Sequence, residues 1–142
     1  IELRIVGTGP EEVRLARLAG ARTHLLGHVD GARLRDLYRG ARLFLQPGVE
    51  DFGIASVEAL ACGTPVVAAA RGGILDIVED GLHGVLYPDR RGQEGAAELA
   101  LAIDKAMDIS FNQTDLRRRA ESFCAQHFID RMTDLCSRRV SN

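Results

Sequence analysis

Short apolar runs recur along the chain, each closed by a glycine-rich loop and followed by a stretch of helical period. Ile1 to Val6 ends in Gly7-Thr8-Gly9-Pro10, and Pro10 suits the first turn of a helix running through Glu11, Glu12, Val13 and Leu18. Thr23 to Leu26, the loop "GHVDG" and a helix through Leu34, Leu37 and Tyr38 repeat the pattern. Arg42 to Gln46 leads through "PGVEDFG" to a further helix, and Pro65 to Ala69 leads through "ARGG" to a helix over Ile74 to Glu79. Val85 to Tyr87 reads as a last strand. Strands alternating with helices predict an α/β, Rossmann-like three-layer domain with a parallel sheet covered on both faces. After the polar loop "PDRRGQEG", residues 94–142 read as a helical tail of two or three amphipathic helices.

One helix raises a question. In "EDFGIASVEALACGTP", Ile54, Val57, Glu58 and Ala61 follow the i, i+3, i+4, i+7 spacing of a single helical face. A carboxylate therefore points where two β-branched residues point. The helix dipole alone is worth about 0.3–1 kcal/mol to an acid in the first turns, which is one explanation. A carboxylate on a crevice that accepts hydrogen bonds from two ribose hydroxyls is another.

Composition narrows the partners. The chain of 142 residues is one domain's worth, with 46% hydrophobic and 27% charged residues. A net charge of −2 gives no electrostatic reason to expect nucleic acid or an anionic membrane. Of 18 basic residues only Lys105 is a lysine, so a lysine-dependent phosphate site has almost nothing to use. Cys62, Cys124 and Cys136 lack metal-ligand spacing and, without a signal sequence, read as reduced thiols of a cytoplasmic protein. No apolar run approaches the ~20 residues of a membrane span. The first residue, Ile1, falls inside a strand pattern, so the expected domain lacks its first strand and loop.

In an open parallel sheet, ligands bind beyond the carboxyl ends of the strands. "GTGP", "GHVDG", "PGVEDFG" and "ARGG" all follow strands at that edge. Gly7, Gly9, Gly72 and Gly73 let backbone approach a ligand, and "EDFG" opens a helix whose amino terminus favours an anion. A nicotinamide dinucleotide fingerprint is not met, because Glu12 stands where its third glycine belongs. No glycine precedes a Lys-Ser or Lys-Thr pair, so there is no Walker-type loop.

The ordered set "VGTGP", "LLGHVDGARLRDLYRGARLFLQPG", "EDFGIASVEALACGTPVVAAARGG", "IVEDGLHGVLYPD" and "RRRAESFCAQHF" resembles the retaining GT-B-fold glycosyltransferases of group 1. The resemblance covers most of the chain and implies the carboxyl-terminal, nucleotide-sugar-binding half of that fold. It implies that Glu50 contacts the transferred sugar near the reaction centre, that Asp51, Phe52, Gly53 and Ile54 hold sugar hydroxyls and phosphate, and that Glu58 holds the ribose. His28 and Val29 fall where relatives place the base. The implied partner is a nucleoside diphosphate sugar, with no cofactor and no metal, since no Asp-x-Asp occurs.

Departures from the family pattern matter too. Pro47-Gly48-Val49-Glu50 is one residue shorter than usual, and the "EDFGI" variant is similar to a branch associated with mannosyl transfer from a guanosine diphosphate sugar. Relatives supply an arginine and a lysine to the diphosphate from upstream of the position matching Ile1, and an acceptor domain before that. Arg71 is the nearest candidate to replace them, and a plain surface arginine is its simpler reading. The expectation is a hexosyl-transferring enzyme of glycan, polysaccharide or glycolipid synthesis, cytoplasmic or peripheral to the inner membrane face through its other half. The 142 residues alone are expected to be inactive. An epimerase of related fold and a non-catalytic sugar-nucleotide module are the rival readings.

Overall fold

A computed structural model describes residues 1–140 and divides the chain into two compact units, Ile1–Leu37 and a second beginning at Tyr38. In the first, β1 (Leu3–Val6) leads to α1 (Glu12–Leu18) and then to β2 (Thr23–Gly27). The two strands pair in parallel, Leu3 opposite Thr23 and Ile5 opposite Leu25. Next comes α2 (Gly31–Gly40), started by Asp30, whose carboxylate accepts the Arg33 N–H at 2.7 Å. Pro10 lies just before α1 rather than within it, because Glu11 already occupies the capping position.

The second unit holds β3 (Phe44–Gln46), α3 (Ile54–Ala61), β4 (Val66–Ala69), α4 (Ile74–Ile77) and β5 (Gly84–Tyr87). It continues with α5 (Gly92–Asp108), α6 (Gln113–Glu121) and α7 (Ala125–Val140). The strands pair in parallel in the order β3-β4-β5, with Val67 between Leu45 and Val85. All residues of β4 are buried, as a central strand covered on both faces requires. Val67, Ala69, Val85 and Tyr87 pack with Ala102 and Ala106 of α5, so α5 belongs to the core and only α7 is exposed along its described length. On the other side α3 packs against the sheet and α6 against α3, where Leu60 and Leu116 are fully buried.

The strands pair in parallel within each unit, as the alternation predicts. One element differs from the sequence expectation. The helix expected over Ile74 to Glu79 ends at Ile77, where Val78 turns extended at φ −107° and ψ 123°. Its end is satisfied by side chains instead of a further turn. Arg119 Nε donates to the Ile77 carbonyl at 2.8 Å and its Nη2 to that of Asp76, while the Glu79 N–H donates to His83 Nδ1 at 3.2 Å.

Candidate donor-binding site

The loop between β3 and α3 is built from its backbone outward. Gly53 sits at the amino-terminal cap of α3 with φ +91° and ψ +50°, a left-handed conformation that glycine adopts without strain. No side chain among the described residues caps the helix. Ser56 and Val57 donate their N–H groups back to the Gly53 carbonyl, and the Ile54 and Ala55 N–H groups have no protein partner among the described residues. Two donors and the positive end of a dipole are thus left facing outward.

The β4–α4 loop presses on this one. The Gly73 N–H donates to the Glu50 carbonyl at 2.9 Å, joining the two loops through backbone. A Cβ added at Gly72, where φ is +78°, would lie 2.6 Å from the Glu50 carbonyl oxygen. One added at Gly73 would collide with the carbonyls of Asp51 and Phe52. These glycines were expected to admit a ligand. The structure shows that they admit the Glu50–Phe52 backbone itself.

Both carboxylates of the motif are exposed and neither forms an ion pair among the described residues. Glu50 Oε1 accepts from Gln46 Nε2 at 2.9 Å, and Glu58 Oε2 accepts from the Tyr38 hydroxyl at 3.4 Å. Tyr38 is 8% exposed, its ring edge-on to Phe44 with centroids 5.4 Å apart. Burial, with the Glu58 charge and hydrogen bond second, pushes its phenol up to about 12, so it is a donor throughout the neutral range. Neither Gln46 nor Tyr38 was singled out from sequence. The available signal was a polar residue closing an apolar strand, and a tyrosine ending a helical stripe.

The face shared by Ile54, Val57 and Glu58 is as the spacing predicts, but it is the open side of α3. Ile54 is 63% exposed, while Ser56, Ala59 and Leu60 form the buried side. An apolar pair beside a carboxylate on an open face suits a ligand with a ring and hydroxyls. Phe52 is half exposed and meets Phe123 edge-on at 6.2 Å, and the Arg119 guanidinium carbon lies 5.2 Å from the Phe123 ring centroid. The loop is thereby backed by the end of α6. Arg71 pairs with Asp89 at 3.1 Å, and Lys105 pairs with Asp80, so each charge is engaged away from the two site carboxylates.

Gly7, Gly9, His28 and Val29 belong to the first unit. There the Gly7 N–H donates to the Gly27 carbonyl at 2.8 Å, bringing the loops after β1 and β2 together. His28 is exposed and Val29 half-buried, and among the described residues nothing lies within 4 Å of a Cβ built at Gly7 or Gly9. The structure gathers Glu50, Asp51, Phe52, Gly53, Gly72 and Gly73 in one loop pair, with Ile54 and Glu58 on the helix it feeds.

Unpaired N–H groups at a helix start, with a hydrogen-bonded carboxylate on the loop before it and another on the helix, invite comparison with known proteins. The family model described as "Glycosyl transferases group 1" matches residues 1–108. The chain belongs to that family. It is 35% identical to the D-inositol 3-phosphate glycosyltransferase of Rhodococcus opacus over 99 residues, which cover 69% of this chain and 22% of that one. This group 1 chain therefore spans under a quarter of that relative's length. Sucrose-phosphate synthase of Thermosynechococcus elongatus superposes with a TM-score of 0.77 at 27% identity, covering 98% of this chain and 38% of that one. Anabaena HepE in complex with UDP and glucose gives a TM-score of 0.72 at 25% identity, over 96% and 40% of the two chains. The α/β architecture with parallel strands is that of GT-B-fold glycosyltransferases. Among the described residues no helix is long and apolar enough to cross a membrane.

Proposed function

We propose that this chain is the donor-binding half of a retaining hexosyltransferase, and that it takes a nucleoside diphosphate sugar on the Glu50 loop and the open face of α3. The observation that carries the reading is that, among the described residues, the Ile54 and Ala55 N–H groups are unpaired and neither of the two carboxylates beside them has a cation partner. The N–H pair and the helix dipole face the diphosphate, Glu58 accepts from the ribose hydroxyls, and Glu50 accepts from the transferred sugar. The largest catalytic demand is stabilising the diphosphate as it leaves, which preorganised N–H dipoles serve without reorganisation. Further cations come from the part of the parent protein upstream of these residues, as does the acceptor site. The uridine diphosphate complex of HepE supports uridine as the base. Mannose, suggested by "EDFGI", is the sugar to set against glucose and N-acetylglucosamine. A cytoplasmic enzyme, reaching a membrane only through its other half, fits this donor chemistry.

Product analysis of the full-length protein with labelled UDP- and GDP-hexoses tests the proposal. A glycoside that forms only with acceptor, keeps the anomeric configuration of the donor and disappears in Glu50→Gln is the expected result. An epimerised nucleotide sugar formed without acceptor would make the protein an epimerase, and tight binding with no product would make it a sensor. The 142-residue chain alone is expected to give no glycoside, because the open site cannot exclude water from the reaction centre.

A further inference from the structure

We propose that Tyr38 and Gln46 are positioning residues, each aiming one of the two site carboxylates, so that Tyr38 sets discrimination at the ribose end and Gln46 at the sugar end of the donor. The inference deepens the donor-site reading and rests on it.

The two carboxylates are served alike. Each receives one hydrogen bond from an uncharged donor, Glu50 from the Gln46 amide and Glu58 from the Tyr38 hydroxyl. An arginine or lysine in either place would hold the carboxylate more strongly, and it would also neutralise the charge that makes the group a good acceptor for ligand hydroxyls. A neutral donor fixes the rotamer and leaves the charge in place. The chain has seventeen arginines, yet among the described residues none pairs with Glu50 or Glu58.

The supports are themselves held. Tyr38 is nearly buried, its ring is packed on Phe44, and its backbone carbonyl accepts the Thr64 hydroxyl at 2.6 Å. Thr64 in turn is 2% exposed, so the Tyr38 backbone is anchored in the core while Phe44 packs against its ring. Gln46 ends β3, where pairing with Ala68 of the central strand fixes its backbone, and its amide also reaches the Gly48 carbonyl at 3.4 Å. One amide thus ties the start of the loop to its first carboxylate. Groups built on a strand end and a packed helix hold a ligand's partners to closer tolerance than loop residues do.

Calorimetry on the full-length protein with UDP, 2′-deoxy-UDP and UDP-glucose separates the roles, because each variant should change one ratio and leave the other. Tyr38→Phe, which keeps the ring, is expected to weaken UDP about fivefold, as loss of one modest hydrogen bond would. It should reduce the preference for UDP over 2′-deoxy-UDP, with the UDP-glucose to UDP ratio unchanged. Gln46→Leu is expected to change the UDP-glucose to UDP ratio and leave the ribose preference alone. A merely structural role would shift melting temperature and lower all three affinities together, which would overturn the proposal. Glu58→Gln and Glu50→Gln keep the two levels of inference apart. If they abolish the respective preferences while Tyr38→Phe and Gln46→Leu do nothing, the positioning roles fall and the donor site stands. If they do nothing either, the donor site itself falls. Without any ligand, the Tyr38 phenol should titrate closer to an ordinary tyrosine in Glu58→Gln, and an unmoved titration would show that the two groups are not coupled.

Discussion

The loops of the two units use the same residue for opposite purposes. After β1 and β2, Gly7 at φ +110° and Gly27 at φ +62° bend the chain, and among the described residues nothing lies within 4 Å of where their Cβ atoms would be. After β4, Gly72 and Gly73 face the backbone of Glu50, Asp51 and Phe52 at distances no Cβ can share. Open space around a loop glycine leaves room for something outside the chain. Crowding around it means the chain has already used the room. Glycine-rich loops at strand ends therefore do not all report a ligand, and the pair after β4 shapes the site by holding another loop in place.

Substitutions can break this contrast. Gly73→Ala should be the most damaging, costing more than about 3 kcal/mol in urea unfolding, since the added carbon meets fixed backbone carbonyls. Gly9→Ala should change stability by less than about 0.5 kcal/mol, because its φ is not positive and the space beside it is empty. Equal effects at the two positions would erase the distinction. Arg119→Leu should come next, at about 2 kcal/mol, because it strips the Ile77 and Asp76 carbonyls of a charged donor and removes the contact behind Phe123. Urea unfolding followed by far-UV circular dichroism checks it.

Ser56 lies beside Gly53, beneath the loop. It is fully buried in the first turn of α3 and its hydroxyl has no partner among the described residues. Ser56→Ala should therefore stabilise the second unit by about 1 kcal/mol, read as a raised melting temperature. A lower melting temperature would mean that the hydroxyl is bonded in solution.

The smallest effect concerns His83. Burial, then the Arg119 charge, pulls its pKa below the ordinary 6.5, and its Nδ1 already accepts the Glu79 N–H. A histidine depressed in the folded state adds stability above its unfolded pKa, and that stability is lost as pH falls. Stability should thus decline from pH 7 towards pH 5, and the decline should shrink in His83→Gln. A variant with the same pH slope would assign the decline to other groups.

Much of this was legible in the chain. Apolar runs and helical spacing located the five strands and the four helices between them, while the tail read only as two or three helices where three are present, and the spacing of Glu50, Gly53 and Glu58 marked the loop and the helix it feeds. The exposure of α3 was not legible, because an apolar run of eight residues reads the same whether its β-branched face is covered or open. The early stop of α4 depends on Arg119, 42 residues beyond Ile77, and no local pattern encodes such a partner. The supports of the two carboxylates were hidden for the same reason. Tyr38 reaches Glu58 across 20 positions, and its ring looked like one more core residue in a helical stripe.

The most direct test of the donor site is amide chemical-shift mapping by NMR as UDP is added. The unpaired N–H groups of Ile54 and Ala55 should move most, with Gly53 and Glu58 beside them, and the amides of α5 on the opposite face of the sheet should stay still. The largest shifts on α5 or α7, with Ile54 and Ala55 unmoved at saturation, would place the nucleotide elsewhere and contradict the account.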